Sequence, residues 1–199
     1  MHEHVLSSAL RAVLTDASSV EEERQLVLRA TDGDALAFRA IVERHHRALY
    51  HLAFRMVGDG ADAEDLVQES FAKAYLHLDR YDSGYRLSTW LHRIALNTCR
   101  DHLKSARRRE RPSGEELDER ANGEAGQDED LDQRRRAAQV QAALGGLKES
   151  YREVLVLKDL QGFSYDEIKD ITGCPITSLK IRVLRARARL RELLGEQEP

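Results

Sequence analysis

Histidine is the first residue type to weigh, because 8 occur and His45, His46, His51, His77, His92 and His102 fall where helical spacing is clearest. That many imidazoles raise metal binding or proton-transfer catalysis, so their spacing decides. No His-Glu-x-x-His pair occurs, and the cysteines Cys99 and Cys174 flank no histidine cluster. No Ser-His-Asp order, phosphate-cradling glycine loop or paired carboxylate pocket can be read either. The histidines read as ordinary helix residues, and the expectation is a protein with no metal, no cofactor and no enzymatic activity.

Charge offers more. Between Ile176 and Arg191 there is no acidic residue, while Lys180, Arg182, Arg185, Arg187, Arg189 and Arg191 line one helix-length segment. Such a ridge suits a polyanion. If it is the second helix of a helix-turn-helix, Thr177, Ser178, Lys180, Ile181 and Arg182 face base edges, and Arg185 and Arg187 meet phosphates. The plainer alternative is a solvated basic helix closing a small bundle.

A second constellation is Asn97, Arg100, Asp101 and Lys104, at three-and-four spacing opposite an apolar stripe, followed by four arginines between Lys104 and Arg111. Upstream, Tyr81, Tyr85 and Trp90 stand beside Arg80, Arg86 and Arg93. Rings interleaved with cations are what gripping unstacked bases requires. Trp90 reads equally well as core, because it shares its stripe with Leu87 and Ile94. A third candidate is the acidic face Asp62, Asp65, Gln68 and Glu69, which could dock a basic protein surface or be a solvated helix face.

These side chains need helices to place them. From Phe38 the apolar residues Ile41, Val42, Leu49, Leu52, Ala53 and Met56 make one stripe, stopped by Gly58 and Gly60. A second stripe runs through Ala63, Leu66, Val67, Ser70, Phe71, Ala74, Tyr75 and Leu78, with Asp62 as its expected cap. A third runs through Leu87, Trp90, Leu91, Ile94, Ala95 and Leu103, with Ser88 or Thr89 expected to cap it. From Val140 through Ala143, Leu144, Leu147, Tyr151, Val154 and Leu155 the spacing predicts one helix ended by Gln161-Gly162. Ser164 and Glu167 form a capping box for a helix over Tyr165–Ile171. Gly173 and Pro175 then turn the chain into a last helix carrying Ile176, Leu179, Val183, Leu184, Ala186 and Leu190.

Composition fits this reading: 33% charged residues with 3 prolines and 12 glycines in 199 residues favour an all-α chain. Between Glu110 and Asp132 the periodicity fades and carboxylates gather, which reads as a flexible acidic linker. The expected organisation is an N-terminal extension over 1–24, a helical domain over 25–109, the linker over 110–133 and a second helical domain over 134–195. The net charge of -4 does not exclude nucleic acid, since local asymmetry decides where a polyanion docks. Two isolated cysteines, no secretory signal in Met1–Glu23 and no membrane-length apolar run lead to the expectation of a cytoplasmic protein without membrane insertion.

The segments Asp62-Ala-Glu-Asp-Leu-Val-Gln-Glu-Ser-Phe71, Ser88-Thr-Trp-Leu-His-Arg-Ile-Ala95 and Asn97-Thr-Cys-Arg-Asp101 closely resemble region 2 of bacterial extracytoplasmic function (ECF) sigma factors. Tyr151-Arg-Glu-Val-Leu155, Gly162-Phe-Ser-Tyr-Asp-Glu-Ile168 and Arg185-Ala-Arg-Ala-Arg-Leu190 resemble region 4 of the same group, and together the likeness spans Gly33 to Leu194. The resemblance implies that Asp62, Asp65, Gln68 and Glu69 bind the β′ clamp helices of core RNA polymerase. It implies that Tyr81 to Arg86 and Trp90, Arg93, Asn97, Arg100, Asp101 and Lys104 capture the nontemplate strand of the promoter −10 element. It gives Thr177, Ser178, Lys180, Ile181, Arg182, Arg185 and Arg187 to the −35 element, the β flap and an anti-sigma factor as further partners, and the linker a path toward the RNA exit. Thr177-Ser-Leu-Lys-Ile-Arg182 departs from the family's Gly-Thr-Val-Lys-Ser-Arg. Ile181 can touch a thymine methyl but forms no hydrogen bond, so an atypical −35 preference is expected. The rival readings are a helix-turn-helix regulator that binds duplex operators without polymerase, and a helical adaptor, which would lack the cationic ridge.

Overall fold

The computed structural model describes residues 20–109 and 128–195; side chains at 109 and 128–134 and the remaining residues lie outside the described set. Helix α1 spans residues 20–31, followed by α2 (Ala35–Val57), α3 (Gly60–Leu76), a 3₁₀ turn (Leu78–Arg80) and α4 (Leu87–Arg109). The second unit holds α5 (Asp128–Gly145), α6 (Glu149–Leu155) continuing as a π-helical segment (Val156–Leu160), α7 (Tyr165–Thr172) and α8 (Ile176–Leu194). No strand occurs among the described residues. The all-α expectation and the two helical units hold.

Local chemistry explains the boundaries. Asp34 caps α2, accepting from the backbone N–H of Leu36 and Ala37, and Gly58 ends it at φ 88, a left-handed conformation that costs glycine little. Asp59, not Asp62, caps α3: its carboxylate accepts from Ala61 and Asp62, which moves the start back to Gly60 and puts Asp62 in the first turn. Helix α4 begins at Leu87, so Ser88 and Thr89 lie inside it and cap nothing; the Ser88 carbonyl accepts from His92 Nδ1 and Thr89 is buried. The capping box is present as expected, with Ser164 Oγ accepting from Glu167 N at 3.2 Å and Glu167 Oε2 accepting from Ser164 N at 2.8 Å.

Three further expectations change. Val140 to Leu155 is not one helix, because the chain breaks at Gly145-Gly146 and turns before Glu149. The acidic stretch ends earlier than its composition suggests, since α5 begins at Asp128; residues 110–127, the bulk of the expected linker, lie outside the described residues. Residues 20–24, assigned to an extension, belong to α1, where Glu23 reaches His45 at 3.3 Å; residues 1–19 lie outside the described residues.

The two units are not separate beads. One continuous apolar cluster joins Leu49, Leu52, Phe71, Leu91 and Leu96 of the first to Leu144, Val154, Leu157, Ile168 and Leu179 of the second. Polar clamps tighten the seam. Glu153, itself buried, receives both Nε and Nη2 of Arg100 at 2.6 and 2.8 Å. Arg152 donates to the carbonyls of Leu144 and Gly145 at the end of α5 and to that of Met56 at the end of α2. One guanidinium thereby satisfies carbonyls that two helix C-termini leave unpaired. Gln161 Nε2 donates to Ala48 O at 2.8 Å, and Gln141 links Arg55 to the Phe54 carbonyl.

Candidate nucleic-acid interface

Helix α4 carries two surfaces. Arg93, Asn97, Asp101, Lys104 and Arg108 are all exposed and recur every three or four residues, so they form one polar, mostly cationic face. Leu91, Ala95, Leu96 and Cys99 turn inward, and burial pushes the Cys99 thiol up to about 12, which makes it an inert packing group. Arg100 sits between the two surfaces and departs from the expected exposed position. Its guanidinium is half-buried and fixed on Glu153, and it also donates to Asn97 Oδ1 at 3.2 Å. The hydrogen bond it donates to Glu153 holds the Arg100 guanidinium charged even more firmly than usual. One helical turn before Glu153, Glu149 meets Arg107 at 3.2 Å, so two charge pairs link α4 to α6.

The aromatic group divides. Tyr85 is half exposed, whereas Tyr81 and Trp90 are partly buried against the core with ring centroids 5.4 Å apart. Tyr81 Oη donates to the Tyr85 carbonyl at 2.6 Å, which shapes the loop, and burial raises the Tyr81 phenol above its ordinary value. Trp90 is therefore both core and edge, and Tyr85 is the ring most open to a stacking base. Arg80, Arg86 and Arg93 are exposed around it.

Helices α7 and α8 form the expected pair, turned at Gly173 (φ 73), with Pro175 preceding α8. Leu179, Val183 and Ala186 are buried, and Thr177, Lys180, Ile181 and Arg185 face outward. Leu184 belongs to this outward face rather than to the core stripe, at 69% exposure. Four of the named residues are less free than their spacing suggests. Ser178 is half-buried, Arg182 turns back to donate to Cys174 Sγ at 3.0 Å, Arg187 pairs with Asp159 at 2.5 Å and Arg189 with Glu192 at 2.6 Å. Lys180 Nζ lies 5.9 Å above the Tyr165 ring, a cation–π contact that leans it toward α7.

On α3, Asp65, Gln68 and Glu69 project outward, with Glu69 pairing Lys73 at 2.7 Å, and Asp62 is drawn toward His102 at 3.4 Å. Tyr75 and Leu76 extend this face with apolar surface, Leu76 at 72% exposure. Tyr75 thus departs from its expected place in the buried stripe. Among the described residues no group of three or more His, Cys, Asp or Glu is placed to hold a metal ion.

The sigma-70 region 2 family matches residues 41–109, and the sigma-70 region 4 family matches residues 137–190. The RNA polymerase sigma-H factor of Pseudomonas aeruginosa is 34% identical over 176 residues, covering 84% of this chain and 91% of that protein. The chain belongs to the sigma-70 family. The ECF RNA polymerase sigma-E factor of Escherichia coli K12 is 35% identical over 173 residues, 83% of this chain and 90% of its own length, which places the chain in the ECF type. Among solved structures, the sigma factor RpoE of Bartonella quintana, bound to the anti-sigma factor NepR, superposes with a TM-score of 0.68 at 30% identity over 81% of this chain and 98% of that one. CnrH, bound to the cytosolic domain of CnrY, gives 0.65 at 29% identity over 89% and 99%.

Sigma factors are non-enzymatic transcription initiation factors, and this membership leaves the polymerase-independent regulator without support. No helix among the described residues is long and apolar enough to cross a membrane. In this sigma factor the seam residues Arg152, Glu153, Gln141 and Gln161 escaped the sequence reading. Each is a polar residue in a helical pattern, and only the partner 53 to 113 positions away gives it a role. The one available signal was a glutamate beside Val154, placed where the helix faces the core.

Proposed function

We propose that this sigma factor binds core RNA polymerase through α3, captures the nontemplate strand of the −10 element on the Tyr85 loop and the outer face of α4, and reads the −35 element with α8. The observation that carries the reading is the pairing of two outward cationic helical faces, one per unit, with an acidic, partly apolar face on a third helix. Asp65, Gln68 and Glu69, flanked by Asp62, meet the β′ clamp helices. Tyr85 and Arg86 stack and hold a flipped base beside Trp90, and Arg93, Asn97, Asp101 and Lys104 track the strand. Thr177, Lys180, Ile181 and Arg185 approach base edges, while Ser178, Arg182 and Arg187 position the helix on phosphates. Arg100 joins the strand-facing set once Glu153 moves away. The two units of this division are helices α1–α4 and α5–α8, which begin at residues 20 and 128 rather than at 25 and 134, and the β flap is the contact of the second unit.

An anti-sigma factor is a further partner in this reading, supported by the fold of RpoE, solved with the anti-sigma factor NepR bound. The site of action is the cytoplasm. Ile181 gives α8 an apolar contact suited to a thymine methyl, so the −35 sequence it prefers differs from that of relatives with a polar residue there.

Charge reversal tests the docking face. Asp65→Lys with Glu69→Lys is expected to abolish co-purification with core polymerase while leaving the far-ultraviolet circular dichroism unchanged, because both side chains are exposed. Undiminished co-purification would remove α3 from the polymerase contact.

A further inference from the structure

A cavity of about 690 Å³ opens where the two units meet, between α2, the first turns of α4 and the π-helical segment after α6. Its size is that of a small-molecule site. Along α2, Arg44, Arg47, His51 and Arg55 occur at three- and four-residue intervals and line one wall, and no aspartate or glutamate lines the cavity. Arg44 is partly engaged by Glu22 and Glu23, and Arg55 by Gln141, whereas Arg47 and His51 stand exposed at the rim.

The inner wall has the opposite hydrogen-bonding character. His92, at 2% exposure, gives its Nδ1–H to the Ser88 carbonyl at 2.6 Å, so Nε2 is left as a lone pair. Among the described residues no group donates to that lone pair, and the neighbouring Gln161 side chain turns only its acceptor oxygen toward it. Gln161 spends its amide N–H on Ala48 and leaves Oε1, also buried, without a donor. Two buried acceptors therefore line the cavity beside the ring of Phe163, which meets the His92 ring edge to face at 4.7 Å. Buried acceptors without donors are rare enough to call for a ligand that supplies them.

We propose that this junction cavity is a binding site for a small phosphorylated compound of nucleotide type. Its phosphates sit on the Arg47 and His51 side of α2, its amino or hydroxyl groups donate to His92 Nε2 and Gln161 Oε1, and its ring packs on Phe163. The walls come from both units, so the ligand holds them together. Binding depends on this seam alone and is read without polymerase, so its failure would leave the assignment of the promoter-facing surfaces untouched.

The test is isothermal titration calorimetry of the full chain with ATP, GTP, adenosine and pyrophosphate. At least one triphosphate is expected to bind saturably, with adenosine and pyrophosphate each about tenfold weaker or more, because each supplies one half of the contacts. Arg47→Ala with His51→Ala, both exposed and remote from the core, is expected to weaken the nucleotide about tenfold; Arg39→Ala, an exposed α2 arginine outside the cavity lining, is expected to leave it unchanged. Absence of saturable nucleotide binding, or equal affinity in the Arg47/His51 variant, would overturn the proposal. So would nucleotides failing to bind while the same variant loses affinity for random-sequence single-stranded DNA, which would make the α2 stripe a nucleic-acid contact.

Discussion

The outer faces of α4 and α8 are both cationic, yet they are held differently. On α8 the fixed arginines pair with exposed carboxylates within their own unit, Asp159 for Arg187 and Glu192 for Arg189, and such pairs contribute little and exchange easily for phosphate. On α4 the central arginine is committed across the seam to a carboxylate that only 4% of its surface exposes to solvent. A polyanion can displace the first kind of partner by simple competition. Displacing the second would strand the buried Glu153 carboxylate without a counterion. In the proposed function the α8 surface is thus presented to the −35 element in the packed form, while Arg100 of the α4 surface is withheld from the −10 strand until Glu153 moves away.

The sharpest way to break this contrast is Arg100→Ala. It strands the Glu153 carboxylate in the seam without a counterion, and losing one partner of a buried pair costs about 3–5 kcal/mol. The expected result is a large drop in the urea midpoint of the packed form, or an increase in radius of gyration by small-angle scattering. Arg187→Ala is expected to change either by no more than the scatter of surface pairs. Equal effects at the two sites would erase the distinction between them.

Acid is a second lever on the seam. Burial pushes His92 down to about 4, against an ordinary value of 6.5, with the neighbouring His45 charge adding to the effect and Ser88, Gln161 and Glu167 opposing it. The packed protein keeps the ring neutral, whereas the opened or unfolded chain takes up a proton below pH 6.5. The stability His92 contributes is therefore fully present above that pH and falls as pH drops toward 4, by up to about 3 kcal/mol. Urea midpoints at pH 7.5, 6 and 5 should fall for the native chain and fall less for His92→Gln. Parallel slopes would show that the ring does not sense the seam. Glu23, whose carboxyl the hydrogen bond from His45 holds below its ordinary value, contributes stability that is lost as pH falls through the carboxylate range, so the difference between the native chain and His92→Gln isolates the ring.

A smaller effect sharpens the other side of the comparison. Ser164→Ala removes the capping box of α7 and should cost about 1 kcal/mol. It is expected to weaken binding to a −35 duplex while single-strand binding by α4 is retained, measured by fluorescence anisotropy. Loss of both together would mean that the two surfaces act as one body even on DNA.

The sequence disclosed what is local. The capping box, the Gly173 turn and the buried side of α8 follow from spacing and backbone chemistry within a few residues. The core stripes of α2, α3 and α4 were legible for the same reason. Asp62 looks like the cap in the sequence because Asp59 sits between two glycines that resemble loop, and both are acceptable caps by type. Leu184 was placed in the core because apolar residues default there, yet its position on α8 is outward. Arg100 was read as free because the glutamate that holds it lies 53 positions on, and no period within α4 reports a partner at that distance.

In the proposed function α4 opens promoters by holding a single strand. Asn97→Ala with Lys104→Ala tests it better than any change at Arg100, because both residues are exposed and neither holds the seam. With purified core polymerase and a promoter that supports run-off transcription, permanganate footprinting of the −10 region is the measurement. The native sigma factor should give reactive thymines there, and the variant should still co-purify with polymerase yet lose that reactivity. Undiminished reactivity with the variant would contradict the account.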